Sequence, residues 1–384
     1  MKILVVNTVC GAGSTGRIAC RLAREDLAAA GGGEIVFAYG RDELSDAAAV
    51  ERAGIRAWKV GRPWEIALHG LLTRFFDRHG TGLCSHFATR ALIRRAEAYD
   101  PDVLWLHNLH GYYLNFELLF AWIKSRPKMQ VKWMLHDCWT FTGHCPHYTA
   151  TGCTQYQTEC RACPQRRDYP SSCLVSNARG NFRAKKRAFL GAPNVTLVIP
   201  SDWLAAQVRS GFLRDYPIVM RRHTVDTSVF RPTPGDVRVR LGLKAGERMI
   251  LGVASQWDAK KGFPDMLALA RLLSPAWRIV LVGLEPAQIA ALPSNVTGLA
   301  RTNSPQELAE LYTAADWFFN PTHEDIYSMT NAEAAACGCR VVSYDTGGAP
   351  EAVVGYAKAV LLGEHTPEAA WAVMAQASSS RAGG

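Results

Sequence analysis

The chain opens Met1-Lys2-Ile3-Leu4-Val5-Val6, turns at Gly11-Ala12-Gly13-Ser14-Thr15-Gly16, runs on through residues 17–30 and stops at Gly31-Gly32-Gly33. A short, unbroken apolar run, a glycine loop and a segment of helical spacing predict a buried strand, a tight turn and a helix. Working outward, residues 34–39 (EIVFAY), 103–107 (VLWLH), 131–136 (VKWMLH) and 194–200 (NVTLVIP) read as further strands, with a helix over 201–212. Alternation of strand and helix predicts a parallel sheet. Pro232 and Pro234 mark a linker near 226–234. After it, residues 248–255, 277–283, 295–299, 317–320 and 340–344 repeat the pattern. The expected fold class is α/β: two doubly wound, Rossmann-like domains, 1–222 and 223–384, facing a cleft. A Cys-rich insertion lies near 138–173. Such sheets bind ligands at the carboxyl ends of their strands.

Composition agrees. With 384 residues, 48% hydrophobic and 20% charged, the chain is long enough for two cores and too apolar to be disordered. No run approaches the roughly 18 apolar residues that span a bilayer, and the amino-terminal run is too short for a secretory leader. A cytoplasmic protein with reduced cysteines is expected. The net charge of +9 is concentrated: residues 161–222 hold 12 basic and 3 acidic side chains. That stretch reads either as a solvated face or as a field for an anionic partner.

Gly11-x-Gly13-x-x-Gly16 fits the dinucleotide fingerprint, but the second strand ends Ala38-Tyr39-Gly40 without the acid that holds a ribose. A loop whose residues Gly13, Ser14 and Gly16 face another phosphate or a sugar competes with a plain tight turn. The densest chemistry is His323-Glu324-Asp325-Ile326-Tyr327-Ser328-Met329-Thr330-Asn331-Ala332-Glu333, leading into a helix from Ala332. Free amides at a helix start attract a diphosphate, and carboxylates accept bonds from sugar hydroxyls. Against this, Thr330-x-x-Glu333 also spells a capping box, which would make Glu333 structural.

Asp325-x7-Glu333-x4-Gly338 resembles the E-x7-E signature of family 4 glycosyltransferases, with Asp for the first Glu. Trp257-Asp258-Ala259-Lys260-Lys261-Gly262, the segment from Glu307 to Asp316, and Thr346-Gly347-Gly348-Ala349-Pro350-Glu351 follow the family's order. In the first half, Leu135-His136-Asp137-Cys138-Trp139-Thr140-Phe141-Thr142-Gly143-His144-Cys145 resembles a bacterial polysaccharide-synthesis branch, of the colanic-acid type. The resemblance implies a GT-B fold, a nucleotide-sugar donor on the C-terminal domain and an acceptor on the N-terminal one. It also implies retention of configuration without a catalytic metal. On this resemblance His136 touches the transferring sugar, with His107 one strand earlier as a weaker candidate. Asp325 takes donor-sugar hydroxyls, Glu333 takes the ribose, and Lys261, Gln256 and the amides of Tyr327, Ser328, Met329 and Thr330 face the diphosphate. Gln256 stands where the family usually has Arg, and His223-Thr224 where it has Asn-Gly.

Cys145-x7-Cys153-x6-Cys160-x2-Cys163 suits a tetrahedral structural zinc, with free thiols and disulfides as the competing readings and His144 and His147 as substitute ligands. Residues 62–78 (RPWEIALHGLLTRFFDR) predict a helix suited either to a membrane interface or to the core. The expected partners are a nucleotide sugar and a glycan or polyprenyl-linked acceptor, at the inner face of the plasma membrane, with no nucleic acid. Two other classes stay open at this point: an NAD-dependent oxidoreductase, and a basic zinc-containing nucleic-acid binder.

Overall fold

A computed structural model describes residues 1–379 and divides into two compact units, Met1–Arg222 and a second that begins at His223. The first unit holds β1 (Lys2–Asn7), β2 (Glu34–Tyr39), β3 (Arg56–Lys59), β4 (Val103–Leu106), β5 (Gln130–Met134), β6 (Val195–Ile199) and β7 (Ile218–Met220). They form one parallel sheet in the order β3-β2-β1-β4-β5-β6-β7. The second unit holds β8 (Arg248–Val253), β9 (Trp277–Val282), β10 (Val296–Leu299), β11 (Trp317–Asn320), β12 (Arg340–Tyr344) and β13 (Ala359–Leu362), ordered β10-β9-β8-β11-β12-β13. Each sheet reverses its strand order beside its first strand, between β1 and β4 and between β8 and β11, which is where doubly wound sheets bind ligands.

Central strands are covered on both faces and so read as continuous apolar runs. Ile3, Leu4, Val5 and Val6 of β1 and Ile250 and Leu251 of β8 are at most 1% exposed. In the first core Ile3, Val5, Phe37 and Trp105 pack on Ala19, Leu22 and Ala23 of the helix Gly13–Ala29. In the second, Met266 and Leu269 cover one face of the sheet and Ala309, Leu311 and Tyr312 the other. Three strands carry no clear sequence signal: β3 (RAWK), β7 (IVM) and β13 (AVLL). All three are sheet edges, short and half exposed. An edge strand packs little apolar surface and shows little patterning.

The helix Pro63–Phe76 is inverted relative to a core helix. It buries Glu65, His69 and Thr73 and exposes Trp64, Leu68, Leu71, Phe75 and Phe76. The core alternative for this segment therefore fails for its large side chains. The buried stripe has polar partners: Arg62 N–H donates to Glu65 Oε2 at 2.9 Å, His69 Nδ1 meets Ser85 Oγ at 2.8 Å, and Thr73 Oγ1–H donates to the His69 carbonyl at 3.0 Å.

The basic stretch is also different from its charge count. Arg179 and Arg183 converge on Glu159, Arg187 pairs with Glu117, Arg221 with Glu25 and Asp26, and Arg222 with Asp202. Lys185 is fully buried over the Trp139 ring, donating to the carbonyls of Trp139 and Thr142. Much of the excess is thus spent on local pairing.

Candidate functional site

In the second unit the loops after β8 and β11 meet. Gly262 has φ +74°, and a Cβ there would lie 2.2 Å from the Pro321 carbonyl oxygen, so the Lys261-Gly262 turn needs glycine to pass beneath the β11 loop. Lys261 is thereby aimed at that loop. Its Nζ donates to the Glu324 carbonyl at 3.0 Å and lies 3.4 Å from Asp325 Oδ2. Both side chains keep some solvent access. Gly347, with φ +57°, lets the segment after β12 approach the same point. The Gly348 N–H donates to the Asp325 carbonyl at 3.1 Å, and a Cβ on Gly347 would meet that oxygen at 2.1 Å. The three motifs read separately in the sequence therefore converge on Asp325.

The helix beyond is Met329–Ala336, three residues longer at its start than expected. Its cap is Ser328, whose Oγ accepts from the Asn331 N–H. Thr330 lies inside the helix, and Glu333 is too far along to close a capping box. That alternative for Glu333 is overturned by the observed cap. Instead Glu333 Oε2 accepts from the Tyr312 hydroxyl at 3.3 Å. The amides of Met329 and Thr330 stand in the first turn, where no intrahelical acceptor exists. Tyr327 N–H is held by Asp325 Oδ1 at 3.1 Å, and the Tyr327 ring meets His223 edge to face. Gln256 lies on the exposed loop after β8. Glu324, next to Asp325, turns inward: it is 2% exposed and pairs with Lys260 at 3.3 Å.

Sequence reasoning misses the groups that hold this loop. Asn320 Nδ2 donates to Ser328 Oγ and Asn331 Oδ1, and Asn331 Nδ2 donates to Ser343 Oγ, all within buried surroundings. Asp265 accepts from the Tyr344 hydroxyl at 2.9 Å and pairs with His323 at 3.2 Å. The bond to Asp265 raises the His323 pKa. A lone Asn at a strand end carries no motif, so only its position could have marked it.

In the first unit, residues after β4 and β5 carry a row of imidazoles. His107 Nδ1 meets His136 Nε2 at 2.8 Å, with the rings stacked. His110 Nε2 meets Asp137 Oδ2 at 2.8 Å, and that partner helps hold the Asp137 carboxyl down to about 2 despite its burial. Gly13 and Ser14 are exposed at the start of the helix Gly13–Ala29, whose cap residue Ala12 supplies no side-chain bond, while Gly16 is buried. Beyond the end of β2, Asp42 accepts from the Tyr39 hydroxyl and pairs with Lys59 at 2.7 Å.

All eleven cysteines are free. The Cys145 and Cys163 thiols are hydrogen-bonded to each other, which lowers Cys163 to about 6 and raises Cys145. Gly143 N–H donates to Cys160 Sγ at 3.2 Å. Among the described residues, the group of three with ligand atoms within 4.8 Å of one another is not this cluster but Asp77, His79 and His144. Asp77 Oδ1 lies 2.7 Å from His79 Nε2 and from His144 Nδ1. Trp139 Nε1–H donates to His79 Nδ1, so the neutral His79 ring carries its proton on Nε2.

Residues 238–382 match the family model described as glycosyl transferases group 1. This part of the chain is a group 1 glycosyltransferase domain. Among curated relatives, a D-inositol 3-phosphate glycosyltransferase of Segniliparus rotundus is 34% identical over 199 residues, 45% of this chain and 43% of that protein. A putative colanic acid biosynthesis glycosyl transferase, WcaC of Escherichia coli, is 32% identical over 122 residues, 29% of each chain. The chain thus spans less than half the length of these relatives. The whole chain superposes on sucrose-phosphate synthase from Thermosynechococcus elongatus with TM-score 0.68 and 18% identity, covering 100% of this chain and 90% of that one. For HepE of Anabaena in complex with UDP the values are 0.64 and 15%, covering 98% and 89%. The fold of the two α/β units is therefore the GT-B fold of these glycosyltransferases.

Proposed function

We propose that the protein is a retaining glycosyltransferase that moves a sugar from a nucleotide-sugar donor to a glycan or polyprenyl-linked acceptor in cell-surface polysaccharide synthesis. The observation that carries this reading is the meeting of Lys261 with Asp325 beside the start of the helix Met329–Ala336. The reaction must stabilise an oxocarbenium-like sugar and a departing diphosphate. Lys261, Gln256 and the amides of Ser328, Met329 and Thr330 act on the diphosphate, a preorganised field that need not rearrange as charge develops, while the Tyr327 amide, already donated to Asp325, holds that carboxylate in place. Asp325 accepts bonds from donor-sugar hydroxyls and Glu333 from the ribose. His136, oriented by His107, contacts the transferring sugar, and Gly13, Ser14 and Gly16 line its surroundings. The leaving phosphate takes the acceptor's proton on the face where the new bond forms. A UDP-sugar is the first donor to try, since a structural neighbour is a complex with UDP-glucose.

Calorimetric titration with a panel of nucleotide sugars, followed by turnover, tests the assignment. Asp325→Asn and Glu333→Gln are expected to fold normally and to lose about 1.5–3 kcal/mol each, as for a charge-assisted bond. Glu324→Gln, on the inward-facing neighbour, should leave donor affinity within about threefold. A Glu333→Gln enzyme with full activity would overturn the donor site.

A structural zinc on Cys145, Cys153, Cys160 and Cys163 forms the second part of the proposal. The Cys145–Cys163 bond and the amide donated to Cys160 support it, since thiolate ligands are commonly held by such contacts. Protein purified without added metal should carry about one zinc per chain. Metal-free protein with unchanged melting would remove zinc from the reading.

A further inference from the structure

We infer that the amino-terminal edge of the second sheet holds a binding site for a small phosphoryl-bearing anion, of the class of diphosphates and sugar phosphates. A cavity of about 490 Å³ opens there, lined among others by Arg238, Arg248, Asp316, Arg340 and Lys358. Arg248 starts β8 and Arg340 starts β12, while Asp316 immediately precedes β11 and Lys358 immediately precedes β13. The Lys261–Asp325 meeting lies past the other ends of β8 and β11, a strand length of about 13–20 Å away at about 3.3 Å per residue. The two places are distinct, and the inference does not rest on the glycosyltransferase reading.

The fold gathers cations here without acids to match them. Four basic side chains and two acidic ones, Glu247 and Asp316, line the cavity, and both acids are already engaged. Glu247 Oε2 accepts from the Lys244 N–H at 2.9 Å, and Oε1 pairs with Arg278 at 3.1 Å. Asp316 Oδ2 accepts from the Met249 N–H at 2.8 Å and pairs with Arg238 at 3.3 Å. Arg238 belongs to the wall, since it also donates to the carbonyls of Ala314 and Glu247. Arg340 and Lys358, in contrast, enter no ion pair among the described residues. They are also neighbours: Val341 pairs with Ala359 across β12 and β13, and the residues one step earlier are Arg340 and Lys358. Like charges directly across a strand pair repel. Each is nevertheless held in place. The Arg340 guanidinium lies 5.3 Å over the Trp317 ring, and Lys358 Nζ donates to the Gly338 carbonyl at 3.4 Å. Two strands along the sheet, Arg248 lies 5.4 Å over the Trp277 ring. Cations pinned around one recess, with the local acids committed elsewhere, make a field that an oxyanion completes.

Side-chain chemistry narrows the ligand. A guanidinium presents paired N–H donors at the spacing of phosphoryl oxygens, and a lysine beside it adds a point charge. Two adjacent cations suit an anion with more than one negative charge, which a phosphoryl group carries near neutral pH. The volume lies within the range of small-molecule sites. A lipid headgroup is a poorer match, because the lining offers no exposed large apolar side chain for its acyl chains: Trp317 and Cys339 are each 4% exposed.

Hydrogen exchange of the full chain, with inorganic pyrophosphate and with sodium chloride at the same ionic strength, tests the site. Pyrophosphate should slow exchange in residues 246–250, 313–317 and 338–341. Arg340→Gln with Lys358→Gln should raise the concentration giving half-maximal protection there by about tenfold or more, as for lost charge-assisted bonds. Arg340→Lys keeps the charge and loses the planar fork, and should fall between parent and double variant. Lys358→Gln alone, at the exposed member of the pair, should move in the same direction and melt as the parent does in chloride. Pyrophosphate also meets the groups proposed to hold the donor diphosphate, so residues 258–262 and 325–331 are followed separately, and any protection there should be equal in parent and variants. Protection confined to those two segments overturns the inference. So does cavity protection that the double variant retains in full, or that sodium chloride alone reproduces. Absence of nucleotide-sugar binding with cavity protection intact would count against the glycosyltransferase reading alone.

Discussion

In the second unit, Lys261, Asp325 and the first turn of Met329–Ala336 gather at the carboxyl ends of β8 and β11, with polar atoms left toward solvent. In the first unit, with the same strand order, Asp77, His79, His144 and Lys185 lie at most 4% exposed, and Glu65, His69 and Thr73 line the inside of a helix whose outside is apolar. One unit brings its polar groups to an edge where a ligand can complete them. The other buries them among one another, with Glu65 Oε1, His79 Nε2 and His144 Nε2 left without a hydrogen-bond partner among the described residues, and turns the apolar face of that helix outward. Clusters of histidine and carboxylate are therefore poor markers of a site by themselves. The informative mark is which polar atoms the fold leaves open to solvent.

The contrast fails first if the buried network is dispensable. Asp77 Oδ2 also accepts from the Asn177 N–H at 2.7 Å, so one carboxylate serves a backbone amide and two imidazoles. Asp77→Ala is expected to destabilise the first unit by about 3–5 kcal/mol, as for other broken buried pairs. Hydrogen exchange should show the loss in residues 1–222, with exchange in 223–379 and donor affinity unchanged. Equal loosening of both units would break the distinction.

Acid sharpens it further, because the two units should respond with opposite sign. Burial holds His69 near 3 and His79 near 4, both below the unfolded value of about 6.5. The unfolded chain takes up protons that the folded unit refuses, so stability present above pH 6.5 is lost progressively as pH falls toward 4. At pH 5 the loss is roughly 2 kcal/mol for each histidine relative to pH 7. His323, raised by Asp265, contributes stability that is present below about pH 6.5 and lost as pH rises through its folded value. Exchange rates corrected for intrinsic pH effects, compared at pH 7 and pH 5, should show the first unit loosening and the 323 region holding. A first unit indifferent to pH 5 would mean that water or a proton reaches those imidazoles.

The smallest effect concerns the helix cap. Ser328→Ala should cost about 1 kcal/mol, because it removes the acceptor of the Asn331 amide, whereas Thr330→Ala should change stability by under about 0.5 kcal/mol. Thermal melts of the two variants decide it, and the reverse order would restore Thr330 as the cap.

The interior strands and the convergence on Asp325 were legible because their signals are local: continuous apolar runs, a Lys-Gly turn, an eight-residue acid spacing. Three kinds of feature were not. Edge strands such as β7, three residues long and half exposed, leave too little pattern. The Ser328 cap competes with Thr330 two residues on, and spacing cannot say which side chain reaches the free amides. The facing of Pro63–Phe76 is hidden for a related reason. Glu65, His69 and Thr73 share one stripe and Trp64, Leu68, Leu71 and Phe75 another, and periodicity reports two faces without saying which is inside. Charge sums fail too, since Arg179, Arg183 and Arg187 find their acids only after folding.

The inverted helix also restricts how this part of the chain can change length. Each residue turns an α-helix by about 100°, so deleting or inserting one residue within Pro63–Phe76 would swing the faces beyond it by more than a quarter circle. The leucines and phenylalanines would rotate toward the space that fits imidazole and hydroxyl groups, and Thr73 and Asp77 would leave their partners. Single substitutions on the outer stripe meet open space and can accumulate freely. A shift in phase cannot, and descendants of this sequence should keep the residue count from the Gly61 turn to Asp77 fixed while its outward letters drift.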